Sequence, residues 1–349
     1  MFRSSWAVLA IAVLFVLQTS KGQQYEPLAP LFASDDVLEL RITAALDTII
    51  SDRPIDEYLR GDLSYLADDD EIIELDIGIR ARGNFRRRPD VCSFPPLRLN
   101  FKKSQTKATL FANQNKLKLV SHCATNSHNS SQAVISEYLA YRIFNLLTDR
   151  SFQVRLLQIE YTNKSNGETF EGPGILIEHK NRLAERLSVL PLRIEKTAVS
   201  SLDPDHLSLA SVFQYLIGNT DFSVISAAPG EECCHNFKLF EKPGKPYLAI
   251  PYDFDMSGFV SAPYAVPNSK LRLDSVQDRL YRGWCINNDR LPMTFARFLA
   301  VRQEIETLIQ KQAGLSRRKR YELLKYVDQF YRTISSPRSV KRQFTNRCR

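Results

Sequence analysis

The sequence lacks the features that mark membrane-spanning, zinc-binding or nucleic-acid-binding chains. After residue 17 no apolar run approaches the roughly 20 residues that a spanning helix needs, so we expect no transmembrane helix in the mature chain. No CxxC or HxxxH spacing occurs, which disfavours a zinc site. No zinc finger, aromatic RNA-binding signature or repeat is present, and we therefore expect no nucleic-acid partner.

The longest apolar run stands near the beginning of the chain. Arg3 precedes the run Trp6–Leu17, and Ser20-Lys-Gly22 then places small residues where a signal peptidase reads them. This pattern predicts a signal peptide over residues 1–22, with cleavage near Gly22. The alternative is a retained membrane anchor, although the run is short for one. We expect an exported protein, either periplasmic or extracellular.

The charge is basic and unevenly spread. Lys and Arg number 47 against 39 Asp and Glu, a net charge of +8. Much of the excess lies in Arg86-Arg-Arg88, in Arg317-Arg-Lys-Arg320 and in a basic tail over residues 336–349. Such clusters attract phosphate, acidic substrates or anionic surfaces, and the plainer alternative is a solvated helix face.

An even number of cysteines in an exported chain predicts disulfides. The six are Cys92, Cys123, Cys233, Cys234, Cys285 and Cys348. We expect Cys92 to pair with Cys123, because both flank one strand-rich block. A second bridge is expected from Cys233 or Cys234 to Cys285, since the adjacent pair could bond to each other only with strain.

Hydrophobic periodicity divides the chain into a β-rich part and a helical part. Apolar alternation predicts strands at 38–49, 71–82, 97–101, 116–120, 153–161 and 174–180. Helical spacing predicts helices at 131–149, 206–217, 292–311 and 316–334. We therefore expect an α+β fold with a β-rich lobe with one helix (23–180), a helical lobe (181–335) and a cleft between them, where ligands tend to bind.

Short polar residues are densest between 217 and 258. Asp221 follows a predicted helix, fourteen residues lie between it and Asn236, and sixteen lie between Asn236 and Asp253, with Asp255 close behind. Phosphoryl transfer needs a carboxylate that orients the accepting hydroxyl, and it needs oxygen ligands that hold Mg²⁺ on the phosphates. The alternative is a helix stop followed by acidic residues that face solvent at a strand end.

A predicted hairpin makes this spacing informative. The strands Phe237–Phe240 and Tyr247–Ile250 flank a Pro- and Gly-containing turn over residues 242–246. Such a hairpin would bring Asn236 and Asp253 together as a rigid pair of metal ligands.

This block resembles the spore-coat kinase (CotH-like) family, and its Gly218-Asn-Thr-Asp221 segment also looks like the HipA toxin kinases. Arg80-Ala-Arg-Gly-Asn84, Phe94-Pro95 with the strand after it, and Gly174-Ile-Leu-Ile-Glu178 are similar to further CotH-like elements. The resemblance covers about residues 78–260. It implies a two-lobed protein-kinase-like fold that uses Mg²⁺ and ATP.

The resemblance also implies roles for individual residues. Asp221 would be the catalytic aspartate. The metal ligands would be Asn236 and Asp253, with Asp255 as a possible second carboxylate. The residues over the nucleotide phosphates would be Arg82, Gly83 and Asn84.

Pro96 and Leu97 stand where the family has lysines, so another cation must neutralise the phosphates. Arg98, Lys116 and Lys118 are candidates by their position on strands, and Glu137 could pair with that cation. The sequence thus predicts an exported atypical kinase that transfers phosphate from Mg-ATP to a protein or other hydroxyl acceptor. The alternatives are a catalytically inactive kinase-like module for secreted binding or surface assembly, and a metal-dependent phosphate-ester hydrolase.

Overall fold

Seven strands form a closed barrel in the computed structural model, which describes residues 28–67 and 70–349. The predicted signal peptide lies outside the described residues. The barrel strands are β1 (Leu38–Ala44), β2 (Leu59–Leu66), β3 (Ile72–Ala81), β4 (Leu97–Phe101), β5 (Lys116–Ser121), β6 (Val154–Asn163) and β7 (Thr169–Ile177). Their order around the barrel is β1-β2-β3-β4-β5-β7-β6.

One parallel pairing closes the barrel. Leu38 of β1 lies opposite Leu157 of β6, and the register continues to the Ala44–Asn163 pair. The other neighbouring strands pair antiparallel. Closure satisfies the backbone hydrogen bonds that the first and last strands of an open sheet would leave free.

Successive residues of a strand point to opposite faces of the sheet, so every second side chain of a barrel strand faces the interior. On β4, Leu97, Leu99 and Phe101 are buried in the interior core, whereas Arg98 is only half-buried on the outer face. On β5, Leu117 and Leu119 point inward by the same rule. Strands β4 and β5 therefore present their cations on the outer surface of the barrel.

The helices build a second core against one side of the barrel. They are α1 (Leu46–Ser51), α2 (Lys103–Thr106), α3 (His128–Leu147), α4 (Lys180–Leu187), α5 (Pro204–Ile217), α6 (Leu291–Ala300), α7 (Arg302–Lys311), α8 (Arg317–Ile334) and α9 (Pro337–Val340). Short 3-10 turns cover Pro30–Phe32, Val199–Ser201, Ser269–Leu271 and Cys285–Arg290, and a π turn covers Lys341–Thr345. Helix α3 is buried between β6, β7 and α7, so one apolar cluster runs from the barrel wall to the last helices.

A small antiparallel sheet lies among the helices. Its strands are β8 (Leu190–Pro191), β9 (Phe237–Glu241) and β10 (Leu248–Pro251), in the order β10-β9-β8. The β9–β10 hairpin confirms the prediction that the turn at 242–246 separates two strands.

The predicted two-lobed kinase-like fold is wrong, because the strands close into a barrel and do not form the β-sheet of a kinase N-lobe. Strand β2 was not predicted, since Gly61 and two charged residues interrupt its apolar alternation. With β2 present, β1 pairs on both sides and the sheet closes.

Several predicted elements also had wrong bounds. The strand expected at 174–180 is β7 (Thr169–Ile177), and the helix expected at 131–149 is α3 (His128–Leu147). The strand expected at 38–49 ends at Ala44, and α1 follows it. The helix expected at 292–311 is interrupted at Val301 and forms α6 and α7.

Three disulfides link the six cysteines. Cys92 pairs with Cys123, which confirms that prediction. The predicted bridge to Cys285 from the adjacent cysteines is wrong. Cys285 instead pairs with Cys348, because the tail returns beside it and the Arg349 carbonyl accepts from the Cys285 amide at 3.0 Å. Cys233 and Cys234 pair with each other.

Within residues 28–67 and 70–349, none of the helices combines the length and the apolar character that crossing a bilayer requires.

Candidate functional site

The end of α5 fixes the position of Asp221. Gly218 ends the helix with a left-handed φ of 64°, and a Cβ at this position would overlap the Tyr326 hydroxyl, so glycine is required. Asn219 then accepts a hydrogen bond at its Oδ1 from the Asp221 amide at 2.9 Å. Arg282 donates to the carbonyls of Thr220 and Phe222, on either side of Asp221. The turn that ends α5 therefore also fixes the position of the Asp221 carboxylate.

The Asp221 side chain is held by the segment that precedes β9. His235 Nε2 lies 2.9 Å from Asp221 Oδ1, and Asn236 Nδ2 donates to Asp221 Oδ2 at 3.1 Å and to the Asp221 carbonyl at 2.7 Å. The hydrogen bond to Asp221 raises the pKa of His235, against the effect of burial. Because the Asn236 amide nitrogen is directed at Asp221, its amide oxygen is free to face a ligand.

The β9–β10 hairpin brings Asn236 next to Asp253. Phe237 pairs with Pro251, and the Tyr252 amide donates to the Asn236 carbonyl at 3.0 Å. Both Asn236 (φ 56°) and Asp253 (φ 64°) adopt the left-handed conformation, which Asn and Asp tolerate better than other residues with a side chain. The Asp253 amide donates to the Tyr141 hydroxyl of α3 at 2.8 Å, which anchors the hairpin to the buried helix.

Asp255 lies deeper than Asp253. Its Oδ2 accepts from the Tyr264 hydroxyl at 3.0 Å and lies 4.0 Å from Arg86 Nη1. Burial, and then repulsion by Asp253, raise the pKa of Asp255 to about 6. Asp255 is therefore tied to Arg86 and Tyr264, whereas Asp253 is the more accessible carboxylate.

Glu137 of α3 lies in the same buried charge cluster. Its Oε1 has no hydrogen-bond partner among the described residues. Burial raises the pKa of Glu137 well above its usual value, and Asp255 and Asp253 add to the effect, while Arg86 and Arg82 oppose it. Burial and the missing hydrogen bond at Oε1 thus both favour the protonated form of this carboxyl.

Two cations face the carboxylates across the site. Arg82 directly follows β3, and its buried Nε has no acceptor within the described part of the chain. Lys118 of β5 lies 4.4 Å above the centre of the Tyr252 ring. Burial, and then repulsion by Arg82, lower the pKa of Lys118 to about 7. Within the described residues neither group forms an ion pair, although the charge of Asp253 acts on both.

These residues line one cavity of about 680 Å³, which we call the acidic-basic cleft. Of the predicted site residues, it brings together Arg82, Gly83, Asn84, Lys118, Asp221, Asn236, Asp253 and Asp255. Arg98 is the exception, because it lines an adjoining cavity of about 300 Å³ that shares Lys118 with the cleft.

Whether the acidic-basic cleft can bind Mg²⁺ depends on which ligand atoms its residues offer. Over residues 28–67 and 70–349, no group of three or more His, Cys, Asp or Glu is arranged to hold a metal ion. Asp253 and the Asn236 amide oxygen are hard oxygen ligands, and Mg²⁺ is usually held by one or two carboxylates together with substrate phosphates. The residues thus fit Mg²⁺ that arrives with a phosphate ligand.

Sequence reasoning missed several residues of the cleft. Arg86 was noted only as part of a basic cluster, yet it is buried beside Asp255. The contact of His235 with Asp221 was also not predicted. The sequence signal that could have found it is its position next to Asn236, already a candidate ligand.

The comparisons with known proteins leave the family open. No family model matches the chain, and no curated protein matches it. The resemblance to CotH-like kinases therefore stays a prediction that depends on short motifs.

Proposed function

We propose that this chain is an exported phosphotransferase that transfers phosphate from Mg-ATP to a protein or other hydroxyl acceptor. The supporting observation is the acidic-basic cleft, where Asp221, Asn236 and Asp253 face Arg82 and Lys118 within one cavity. Oxygen ligands opposite buried cations suit a metal-bound chain of phosphates.

Asp221 is the proposed base. It orients the acceptor hydroxyl and takes its proton as the acceptor oxygen bonds to the γ-phosphorus. The bond from the γ-phosphorus to the bridging oxygen breaks, and ADP leaves with that oxygen. The contacts of Asp221 with His235 and Asn236 hold the carboxylate in one orientation, which favours a reactive geometry.

Asp253 and the Asn236 amide oxygen are the proposed Mg²⁺ ligands. A bound Mg²⁺ would supply positive charge that neutralises part of the phosphate charge. Arg82 and Lys118 neutralise the remaining charge from the opposite wall, and an arriving anion would supply the acceptor that Arg82 Nε lacks. Lys118 thus takes the role for which Arg98 and Lys116 were the other candidates.

Export is part of the proposal. Three disulfides link all six cysteines of the chain, and such bonds persist in oxidising compartments such as the periplasm and the extracellular space.

One observation favours the second candidate, a module that binds a nucleotide and has lost catalysis. Both oxygens of Asp221 already accept hydrogen bonds from the protein, which leaves fewer lone pairs to accept from an acceptor hydroxyl. Nucleotide binding without transfer would identify this module.

Thermal denaturation with Mg-ATP tests the binding step. Asp253→Asn is the sharper variant, because Asn tolerates the left-handed conformation and alanine does not. Asp62→Asn is a matched control, since Asp62 lies exposed on β2 away from the cleft. We expect Mg-ATP to raise the melting temperature of the wild type and of the control, and much less that of Asp253→Asn.

A labelled-phosphate assay tests the transfer step, with γ-labelled ATP and dephosphorylated casein as the hydroxyl acceptor. Label on casein or on the chain itself supports a phosphotransferase. Release of free phosphate alone would identify a hydrolase. Absence of a thermal shift with any nucleotide would overturn the proposed function.

A further inference from the structure

A second cavity opens beside the acidic-basic cleft and has a different character. Its volume is about 300 Å³, and it lies between the outer face of β4 and β5, the end of β7 and the start of α4. Lys118, Lys238 and Tyr252 line both cavities. We call it the basic cavity and define it by Arg98, Lys116, Lys118 and Lys238.

The barrel register places like charges side by side at this cavity. Arg98 of β4 lies directly opposite Lys118 of β5, and on its other side it lies opposite Arg80 of β3. Lys116 is two residues from Lys118 and therefore on the same outer face. Like charges directly opposite each other destabilise a sheet. This row of cations therefore lowers the stability of the barrel, and the packing of the fold gives no reason for it.

The carboxylates near the cavity are already engaged. Glu178 forms two hydrogen bonds with Arg186, at 3.0 and 2.9 Å, and also accepts from the Gln153 amide. Glu232 pairs with Lys180 at 2.9 Å. Among the residues that the structure describes, no carboxylate lies within ion-pair distance of Arg98, Lys116, Lys118 or Lys238.

The surroundings of these side chains also indicate excess positive charge at the basic cavity. The Arg98 Nε is buried without an acceptor in the described part of the chain. Burial, and then repulsion by Arg82, lower the pKa of Lys118. Lys118 and Lys238 also lie over the Tyr252 ring, at 4.4 and 5.6 Å, so both lie at the same wall of the cavity. A bound anion would relieve this repulsion.

We propose that the basic cavity binds a small molecule with clustered phosphate groups, either a linear polyphosphate or a polyol that carries several phosphate esters. Besides Lys180, which pairs with Glu232, four cations line this compact space and favour several phosphates over one. Among the lining residues, Phe152 and Ile177 offer wholly apolar surface. Neither Arg98 nor Lys116 lines the acidic-basic cleft, so the inference does not rest on the proposed function.

Calorimetric titration of the disulfide-intact chain in EDTA tests the inference without Mg²⁺. The probes are inorganic tripolyphosphate and inositol hexakisphosphate, which distinguish the two sources of clustered phosphate. The test variant is Arg98→Gln/Lys116→Gln on the outer barrel face. The control is Lys103→Gln/Lys107→Gln, which removes the same charge from exposed positions that have no ion pair among the described residues.

We expect at least one probe to bind the wild type and the control equally. The test variant should lose about tenfold in affinity for each cation removed. Lys116→Gln alone, at an exposed position, should lose about tenfold and provides a second variant that keeps the fold. The inference is overturned if neither probe binds, or if the test variant binds as tightly as the control. In that case Mg-ATP binding that depends on Asp253 would still support the proposed function.

Discussion

His235 holds the proposed base of the site: its Nε2 lies 2.9 Å from Asp221 Oδ1, and both side chains are partly exposed to the cleft. Asp221 therefore combines a fixed orientation with partial exposure to the cleft. The residues proposed to hold the metal and the nucleotide lie outside this pair. Substitutions in the pair therefore test phosphate transfer separately from nucleotide binding.

Asp221→Asn should lose transfer and keep binding. The amide cannot take a proton, so we expect the rate of label transfer from ATP to casein to fall by about a hundredfold or more. The thermal shift with Mg-ATP should remain close to that of the wild type. Transfer at the wild-type rate in Asp221→Asn would show that another residue is the base.

Lys118 should take up a proton when an anion binds. Its pKa of about 7 leaves much of the free protein uncharged at this position at pH 8, and a bound phosphate would raise that pKa again. Titration of Mg-ATP at pH 8 in two buffers of different ionisation enthalpy should therefore report net proton uptake.

Lys118→Arg is the matched control, because arginine stays charged at every accessible pH. Its titration should show much less uptake, and its affinity should fall less than that of the wild type as pH rises from 7 to 9. Equal uptake in both proteins would assign the proton to another group.

Glu137→Gln should be about as stable as the wild type at pH 4, because the raised pKa of Glu137 favours a protonated carboxyl that the amide matches in shape, and the variant should become the more stable of the two as pH rises. The raised pKa means that the folded state holds this proton more tightly than the unfolded state. The resulting stabilisation is full below the usual value of 4.5 and is lost as pH rises through the folded pKa.

Denaturant titrations from pH 4 to pH 9 check this. The wild type should lose stability relative to Glu137→Gln as pH rises. A loss of several kcal/mol in the variant at pH 7 would instead indicate an ionised glutamate paired with Arg82 or Arg86.

The Cys285–Cys348 bridge should stabilise the segment beside Asp221. It closes a loop with a sequence separation of 63, and Arg282, close to Cys285, holds the carbonyls around Asp221. Replacing both cysteines by alanine should lower the free energy of unfolding by about 4 kcal/mol. Guanidinium denaturation of the variant measures this, and an unchanged midpoint would show that the tail is held by other contacts.

Local chemistry made part of this structure predictable. The turn at 242–246 and the alternation around it predicted the β9–β10 hairpin and the proximity of Asn236 and Asp253. The short strand β4 also has its predicted bounds, because its apolar residues alternate without interruption.

Long-range contacts were not predictable in the same way. Barrel closure depends on the parallel β1–β6 pairing, which joins residues more than a hundred positions apart and leaves no local signal. Arg86 belongs to the site because the fold buries it beside Asp255, and the basic cluster that contains it gives no sequence signal of this. The Cys285–Cys348 pairing likewise follows from the path of the tail.

Metal affinity in the presence and absence of nucleotide tests the central claim most directly, namely that ligand phosphates complete the metal site. Mn²⁺, as a paramagnetic substitute for Mg²⁺, would be titrated into the chain with and without a non-hydrolysable ATP analogue and followed by electron paramagnetic resonance. The analogue alone, without protein, corrects for metal held by its phosphates. We expect protein-bound Mn²⁺ only when the analogue is present, with affinity about tenfold lower in Asp253→Asn. Equal Mn²⁺ binding with and without the analogue, or equal binding by the wild type and Asp253→Asn, would contradict the account.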